Sequence, residues 1–98
     1  MKLIVSPEAK HDLAKIEAYI GADNPVAAVN FLKKLTDDFA RLTLNPRIGR
    51  RRDYLRAGLR GITKGDYLIL YWQKNKDLIE IVRVLHSFRD IEALFKPE

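Results

Sequence analysis

The spacing of apolar positions changes repeatedly along this chain, and each change marks a new element. Residues Lys2 to Ser6 alternate, with Leu3 and Val5 on one side and Ile4 on the other, as a short strand does. Ser6-Pro7-Glu8 then opens a helix: the serine caps, proline fits the first helical position, and glutamate complements the positive helix end. Leu13, Ile16, Ala18, Tyr19 and Ile20 carry it for about four turns, and Gly21 supplies a stop. Asn24-Pro25 opens a second helix in the same way, and Ala28, Leu32, Leu35, Phe39 and Leu42 step by four and three in one stripe. Asn45-Pro46 ends it, because the residue before a proline disfavours helical geometry. The short link Ala22-Asp23-Asn24 folds the two helices into an antiparallel hairpin. Lys33, Lys34, Asp37 and Asp38 fall off the stripe and read as a solvated face.

Residues 45–57 keep no period and read as a loop. From Gly58 the period is two: Leu59, Gly61 and Thr63 alternate with Arg60, Ile62 and Lys64. Gly65-Asp66 turns the chain into the β-forming run Tyr67–Trp72, Gln73–Asp77 makes a hairpin turn, and Leu78–His86 returns. Arg89 to Phe95 makes a last helical turn. The predicted class is α+β: an N-terminal strand, an antiparallel helix hairpin, a three-stranded antiparallel meander and a short C-terminal helical turn. In the meander, Tyr67, Ile69 and Tyr71 face one way and Leu68, Leu70 and Trp72 the other. In the last strand Ile79, Ile81 and Leu85 oppose Leu78, Val82 and Val84. Both faces are apolar, whereas a sheet with one helix layer should be polar on its open side. The helix hairpin covers one face. A protein partner is the expected cover of the second, unless the C-terminal turn folds over it with Ile91, Leu94 and Phe95.

Composition narrows the function. Ninety-eight residues make a single domain over 1–98, and the absence of cysteine excludes disulfides, thiolate metal sites and cysteine nucleophiles. No apolar run approaches the roughly 18–20 residues that span a bilayer. The amino terminus has too few apolar residues for a signal peptide, so a cytoplasmic protein is expected, without membrane partners. The net charge of +5 comes from one place. Residues 41–65 set Arg41, Arg47, Arg50, Arg51, Arg52, Arg56, Arg60 and Lys64 against Asp53 alone, while the stretches on either side each carry five bases and six acids. This is either a solvated basic loop or a docking surface for an acidic partner or nucleic acid, and arginine is the side chain suited to gripping carboxylate or phosphate.

Several stretches then coincide with a known pattern. They are Tyr19-Ile20 with Asn24-Pro25-Val26-Ala27-Ala28, Leu44-Asn45-Pro46-Arg47-Ile48-Gly49-Arg50, Leu59-Arg60 before Tyr67–Tyr71, and Ile81–His86 with Arg89-Asp90. In this order, over nearly the whole chain, the sequence resembles the ParE-type toxins of the RelE/ParE toxin–antitoxin superfamily. The resemblance implies a helix hairpin on a twisted antiparallel sheet. It implies a cognate ParD-like antitoxin, a hetero-oligomer with it, and a role of the plasmid-stabilisation kind. An antitoxin segment would cover the second sheet face at Leu68, Leu70, Trp72, Val82, Val84 and Phe95. ParE-type relatives poison DNA gyrase, whereas the other branch cleaves messenger RNA on the ribosome.

An RNase of that second kind needs a general base, a general acid and cations around the phosphate. Arg60 and Arg83 fall on neighbouring strand regions, and His86 is the plausible proton-transfer group beside them. His11 reads as a surface residue of the first helix, and Phe88 offers no hydroxyl. Scattered carboxylates and two distant histidines make no metal ligand set, and no glycine loop cradles a phosphate, so no cofactor is expected. The expectation is therefore a non-enzymatic inhibitor of DNA gyrase, with Arg47, Arg50, Arg51, Arg52, Arg56, Arg60, Arg83, His86 and Arg89 forming the target surface. The alternatives are a ribosome-dependent endonuclease using Arg60, Arg83 and His86, and a chain without toxicity that serves as an antitoxin-bound repressor component.

Overall fold

The computed structural model of the chain describes residues 1–87 and 89–95. The elements run β1 (Lys2–Val5), α1 (Pro7–Asp23), α2 (Pro25–Leu44), β2 (Arg50–Arg51), β3 (Arg60–Lys64), β4 (Tyr67–Asn75), β5 (Leu78–His86) and α3 (Ile91–Phe95). Phe88 lies outside the described residues. The α+β order expected from the sequence holds, with an added strand inside the arginine-rich loop. The sheet order is β1-β5-β4-β3-β2. β1 runs parallel to β5, and the other neighbours are antiparallel.

Both helix starts follow from their caps. Ser6 Oγ accepts the Ala9 N–H at 3.0 Å, and Asn24 accepts the Ala27 N–H at 3.0 Å. Gly21 does not stop α1, which runs to Asp23, so the link between helices shrinks to Asn24. That residue closes α1 through its own N–H to the Ile20 carbonyl and caps α2 with its side chain. The hairpin is correspondingly tight. A methyl group built on Gly21 would stand 3.6 Å from the Ala28 Cβ, at ordinary contact distance.

On the sheet's helix side the core joins Ala9 and Ile16 of α1 and Leu35 and Leu42 of α2 to Ile69, Tyr71, Ile79 and Ile81. Asp38 is buried on the same side of α2 rather than solvated, because it falls between Leu35 and Leu42 on the inward stripe. The second face is not left open. Leu68, Leu70, Val82 and Leu85 are buried beneath Leu55 and Leu59 of the arginine-rich loop, with Ile91 and Phe95 of α3 at the margin. A loop read only by its charge thus hides one core leucine, Leu55, which joins Leu59 from the period-two stretch after it.

The faces of β5 also need correction. Leu70 pairs with Arg83 but Tyr71 pairs with Ile81, so Val82 is an extra residue, a β-bulge. The bulge resets the alternation. Val84 therefore joins the helix-side core and Leu85 the second face, the reverse of a strict period of two. Among the described residues no helix is long and apolar enough to cross a membrane.

Gly21→Ala is expected to stabilise the protein by roughly 0.5–1 kcal/mol, since alanine loses less backbone entropy in a helix and the added methyl fits. A urea midpoint above the wild-type value checks this; a lower midpoint would show that the hairpin has no room.

Candidate functional site

Where β1 ends, β5 continues, and its outer edge is completed by the start of α1. The last β1–β5 pair is Val5 with Ile81. Beyond it the Ser6 N–H donates to the Ile81 carbonyl at 2.9 Å, and Ser6 Oγ donates to the Val82 carbonyl at 2.8 Å. Two turns into α1, Asp12 Oδ2 accepts the Val84 N–H at 3.0 Å. The same carboxylate takes Arg83 in a fork, with Nε 2.7 Å from Oδ2 and Nη2 2.8 Å from Oδ1. Arg83 is thereby committed to the fold, and the hydrogen bond it donates to Asp12 raises its already high pKa further. Sequence reasoning missed Asp12. Its signal was a carboxylate in register with Ala9 and Ile16 on the buried face of α1.

The arginine-rich loop is anchored through Tyr71, a fully buried residue of β4. Its hydroxyl accepts the Gly49 N–H at 2.7 Å and donates to the Pro46 carbonyl at 2.9 Å. Arg60 Nη1 donates to the Gly49 carbonyl at 2.8 Å, so both polar groups of that glycine are held. A Cβ at Gly49 would fall 2.6 Å from the Tyr71 hydroxyl, closer than a side chain permits, and a tight 3.0 Å from the Gly61 carbonyl. Burial holds the Tyr71 hydroxyl above its usual pKa of 10.0, although the Gly49 hydrogen bond opposes that rise.

The remaining arginines are deployed outward from this anchor. Arg47, Arg50, Arg51 and Arg56 are exposed. Arg51 Nε pairs with Asp53 at 2.7 Å, a contact that water screens, while Asp53 also accepts the Gly58 N–H at 3.0 Å. That backbone bond, followed by Arg51, lowers the Asp53 pKa. Arg52 Nη1 donates to the Tyr54 hydroxyl at 2.8 Å, and the Arg56 guanidinium sits 4.6 Å over the Trp72 ring. Arg47, Arg51 and Arg60 share a cleft of about 220 Å³ with Pro46, Gly58 and Gln73.

His86 and Arg89 line a different hollow, about 280 Å³, between α1 and the end of β5. The His86 ring meets Tyr67 edge-on at 5.5 Å, and His11 is exposed on α1. Arg60 pairs across from Tyr71 and His86 across from Tyr67, on opposite sides of β4. Four residues of strand separate those positions, about 13 Å. β3 and β5 are thus not adjacent, and Arg60, Arg83 and His86 do not converge on one point. Of the residues assigned from sequence to the second face, Leu68, Leu70 and Val82 are buried and Trp72 and Phe95 half-buried. Val84 faces the helices.

Removing one partner of a buried ion pair strands the other, so Asp12→Ala is expected to cost about 3 kcal/mol. The double variant Asp12→Leu/Arg83→Met should recover a substantial part of that loss. Urea unfolding of the single and double variants measures both; additive losses would show that the pair contributes nothing as a unit. Tyr71→Phe leaves the Gly49 N–H and Pro46 carbonyl without their partner and should cost roughly 1–3 kcal/mol. Because the folded hydroxyl holds its proton more tightly than the unfolded one, the stability that this group contributes is fully present below pH 10.0 and is lost as the pH rises above it. Tyr71→Phe should lack that component of the alkaline loss; an unchanged alkaline profile would contradict the assignment.

The comparisons with known proteins agree with this architecture. Residues 3–91 match the family described as ParE toxin of type II toxin-antitoxin system, parDE. The chain is 35% identical over 65 residues to proteins called Toxin ParE1 from two strains of Mycobacterium tuberculosis, an aligned stretch covering 66% of each chain. A solved structure of the chromosomal ParDE TA system from P. aeruginosa superposes with a TM-score of 0.74 at 20% identity. That superposition covers 88% of this chain and 95% of the other, and supports the fold. A helix hairpin on this sheet and a family match over nearly the whole length lead to one assignment: the chain belongs to the ParE toxin family of type II toxin–antitoxin systems.

Proposed function

We propose that this chain is a toxin that acts in the cytoplasm by binding DNA gyrase without chemistry of its own, and that a protein antitoxin neutralises it. Family membership supports the toxin and antitoxin roles. The observation that carries the mode of action is the division of the arginines. Arg83 is locked onto Asp12, while Arg60 and His86 sit in separate hollows. A phosphate beside Arg60 would meet no proton-transfer group, and one beside His86 would meet Lys15 and Arg89 but neither Arg60 nor a free Arg83 guanidinium. Arg47, Arg50, Arg51 and Arg56 instead project from one loop whose backbone is pinned by Tyr71, an arrangement suited to docking. The target surface is this loop, with Arg89 at its own site; Arg83 drops out of it. On the second face, Trp72 and Phe95 remain for the antitoxin, because the chain covers the rest itself.

The test is a supercoiling assay with purified gyrase and antitoxin-free protein. Wild type is expected to inhibit, and Arg47→Glu/Arg51→Glu to inhibit at least about tenfold less while keeping its unfolding midpoint. No inhibition and no trapped cleavage complex at excess wild-type protein would overturn the reading. In cells, filaments with blocked replication are expected on induction; arrested translation would point to messenger RNA cleavage, and normal growth to a chain without toxicity.

A further inference from the structure

The hollow between α1 and the end of β5 is built on one side of the helix. Lys15, Ile16 and Tyr19 follow Asp12 by three, four and seven residues, so all four lie along the side of α1 that meets Tyr67 and the end of β5. About 280 Å³ of space lies between them. Its base is apolar, formed by the buried Ile16 and Val84. Its mouth is aromatic. Tyr19 is 78% exposed, and the half-buried Tyr67 ring lies 5.2 Å from Phe31 and 5.5 Å, edge-on, from His86.

The polar groups at the base are spent on one another. Asp12 Oδ2 accepts the Val84 N–H at 3.0 Å, and the Asp12 charge is balanced by Arg83 in the fork. Lys15 and Arg89 on the rim therefore face no uncompensated acid in the lining. Lys15 makes no ion pair among the described residues. Burial, followed by the nearby Tyr19 and Asp66, holds the Tyr67 hydroxyl above its usual pKa of 10.0, so it keeps its proton and can donate. A group that enters the base must bring no hydrogen-bonding demand of its own, because Asp12 and the Val84 N–H are already taken. A group at the rim is favoured if it is an anion.

We propose that this hollow binds a small aromatic carboxylic acid, its ring set over Ile16 and Val84 among the tyrosines and its carboxylate against Lys15. The volume lies at the lower end for ligand cavities and fits one or two fused rings. Contact with the Tyr19 and Tyr67 rings favours an arene over an aliphatic chain. A charge-assisted bond to Lys15 favours the acid over a neutral analogue. A nucleotide would bring its phosphate to the same cation, but the donors and acceptors of its base would meet an apolar floor. Lys15 and Tyr19 belong neither to the target surface nor to the face assigned to the antitoxin, so the proposal does not depend on which target the toxin has. Arg89 borders the hollow too, and because it also belongs to the target surface, Lys15 is the cation to test.

Naphthoate is the probe, beside its neutral amide and adenosine monophosphate. Each is titrated into the isotope-labelled full chain, and the backbone amide resonances are followed. Naphthoate is expected to give saturable shifts at Lys15, Tyr19, Tyr67 and His86 but not along Arg47–Arg56, and its amide to bind at least about tenfold more weakly. Lys15→Glu should weaken naphthoate by about tenfold, and Tyr19→Ala by about threefold. Both side chains are exposed, so both variants should keep the wild-type unfolding midpoint. If either loses it, the acid–amide comparison on wild type and the map of shifted amides decide. No saturable binding, equal affinity for acid and amide, shifts centred outside the hollow, unchanged affinity in a folded Lys15→Glu, or tighter binding of adenosine monophosphate would each overturn the proposal.

Discussion

The carboxylate of Asp12 sits at the one place where the sheet would otherwise be left unfinished. β1 is four residues long and β5 is nine, so the outer edge of β5 outruns its partner. Ser6 and Asp12 take over that edge, holding the Val82 carbonyl and the Val84 N–H. Because Asp12 is nearly fully buried, its charge is tolerable only with Arg83 in the fork and the backbone donor beside it. The arrangement fixes three things together: the start of α1, the bulge at Val82 and the direction of β5 beyond it. The bulge in turn decides that Val84 enters the helix-side core and Leu85 the opposite one.

At the other edge of the sheet a single phenol has the corresponding role. Tyr71 reaches out of the helix-side core to hold both ends of the Pro46–Gly49 segment, and Arg60 closes the grip on Gly49. Leu55 and Leu59 then draw the loop across the second face. The arginines between these fixed points are displayed on a backbone that does not need to be ordered when a partner arrives, which removes one entropic cost of docking. Charge concentration in this segment and coverage of the second face are therefore one solution rather than two features.

Local signals were the legible part of the sequence. Ser6-Pro7 and Asn24-Pro25 named both helix starts, and the stripe from Ala28 to Leu42 named the inward side of α2. What stayed hidden was tertiary. Strict alternation cannot show a bulge, so Val84 and Leu85 changed places. Asp38 looked like a solvated charge and Asp12 carried no sign of its role, although each lies in register with buried neighbours on its helix. Arg83 looked like a functional cation because its partner is 71 residues away in the chain. Leu55 was masked by the arginines around it. The family resemblance supplied a fold and a target class, but not the sorting of arginines into those that hold the fold and those that face outward.

That sorting is the central claim, and one comparison reaches it directly. The Asp12→Leu/Arg83→Met protein, selected for a cooperative unfolding transition and native circular dichroism, is assayed for gyrase inhibition beside wild type. If Arg83 serves the fold alone, the folded double variant inhibits supercoiling as well as wild type does. Loss of inhibition in a demonstrably folded double variant would place Arg83 on the target surface and contradict the account.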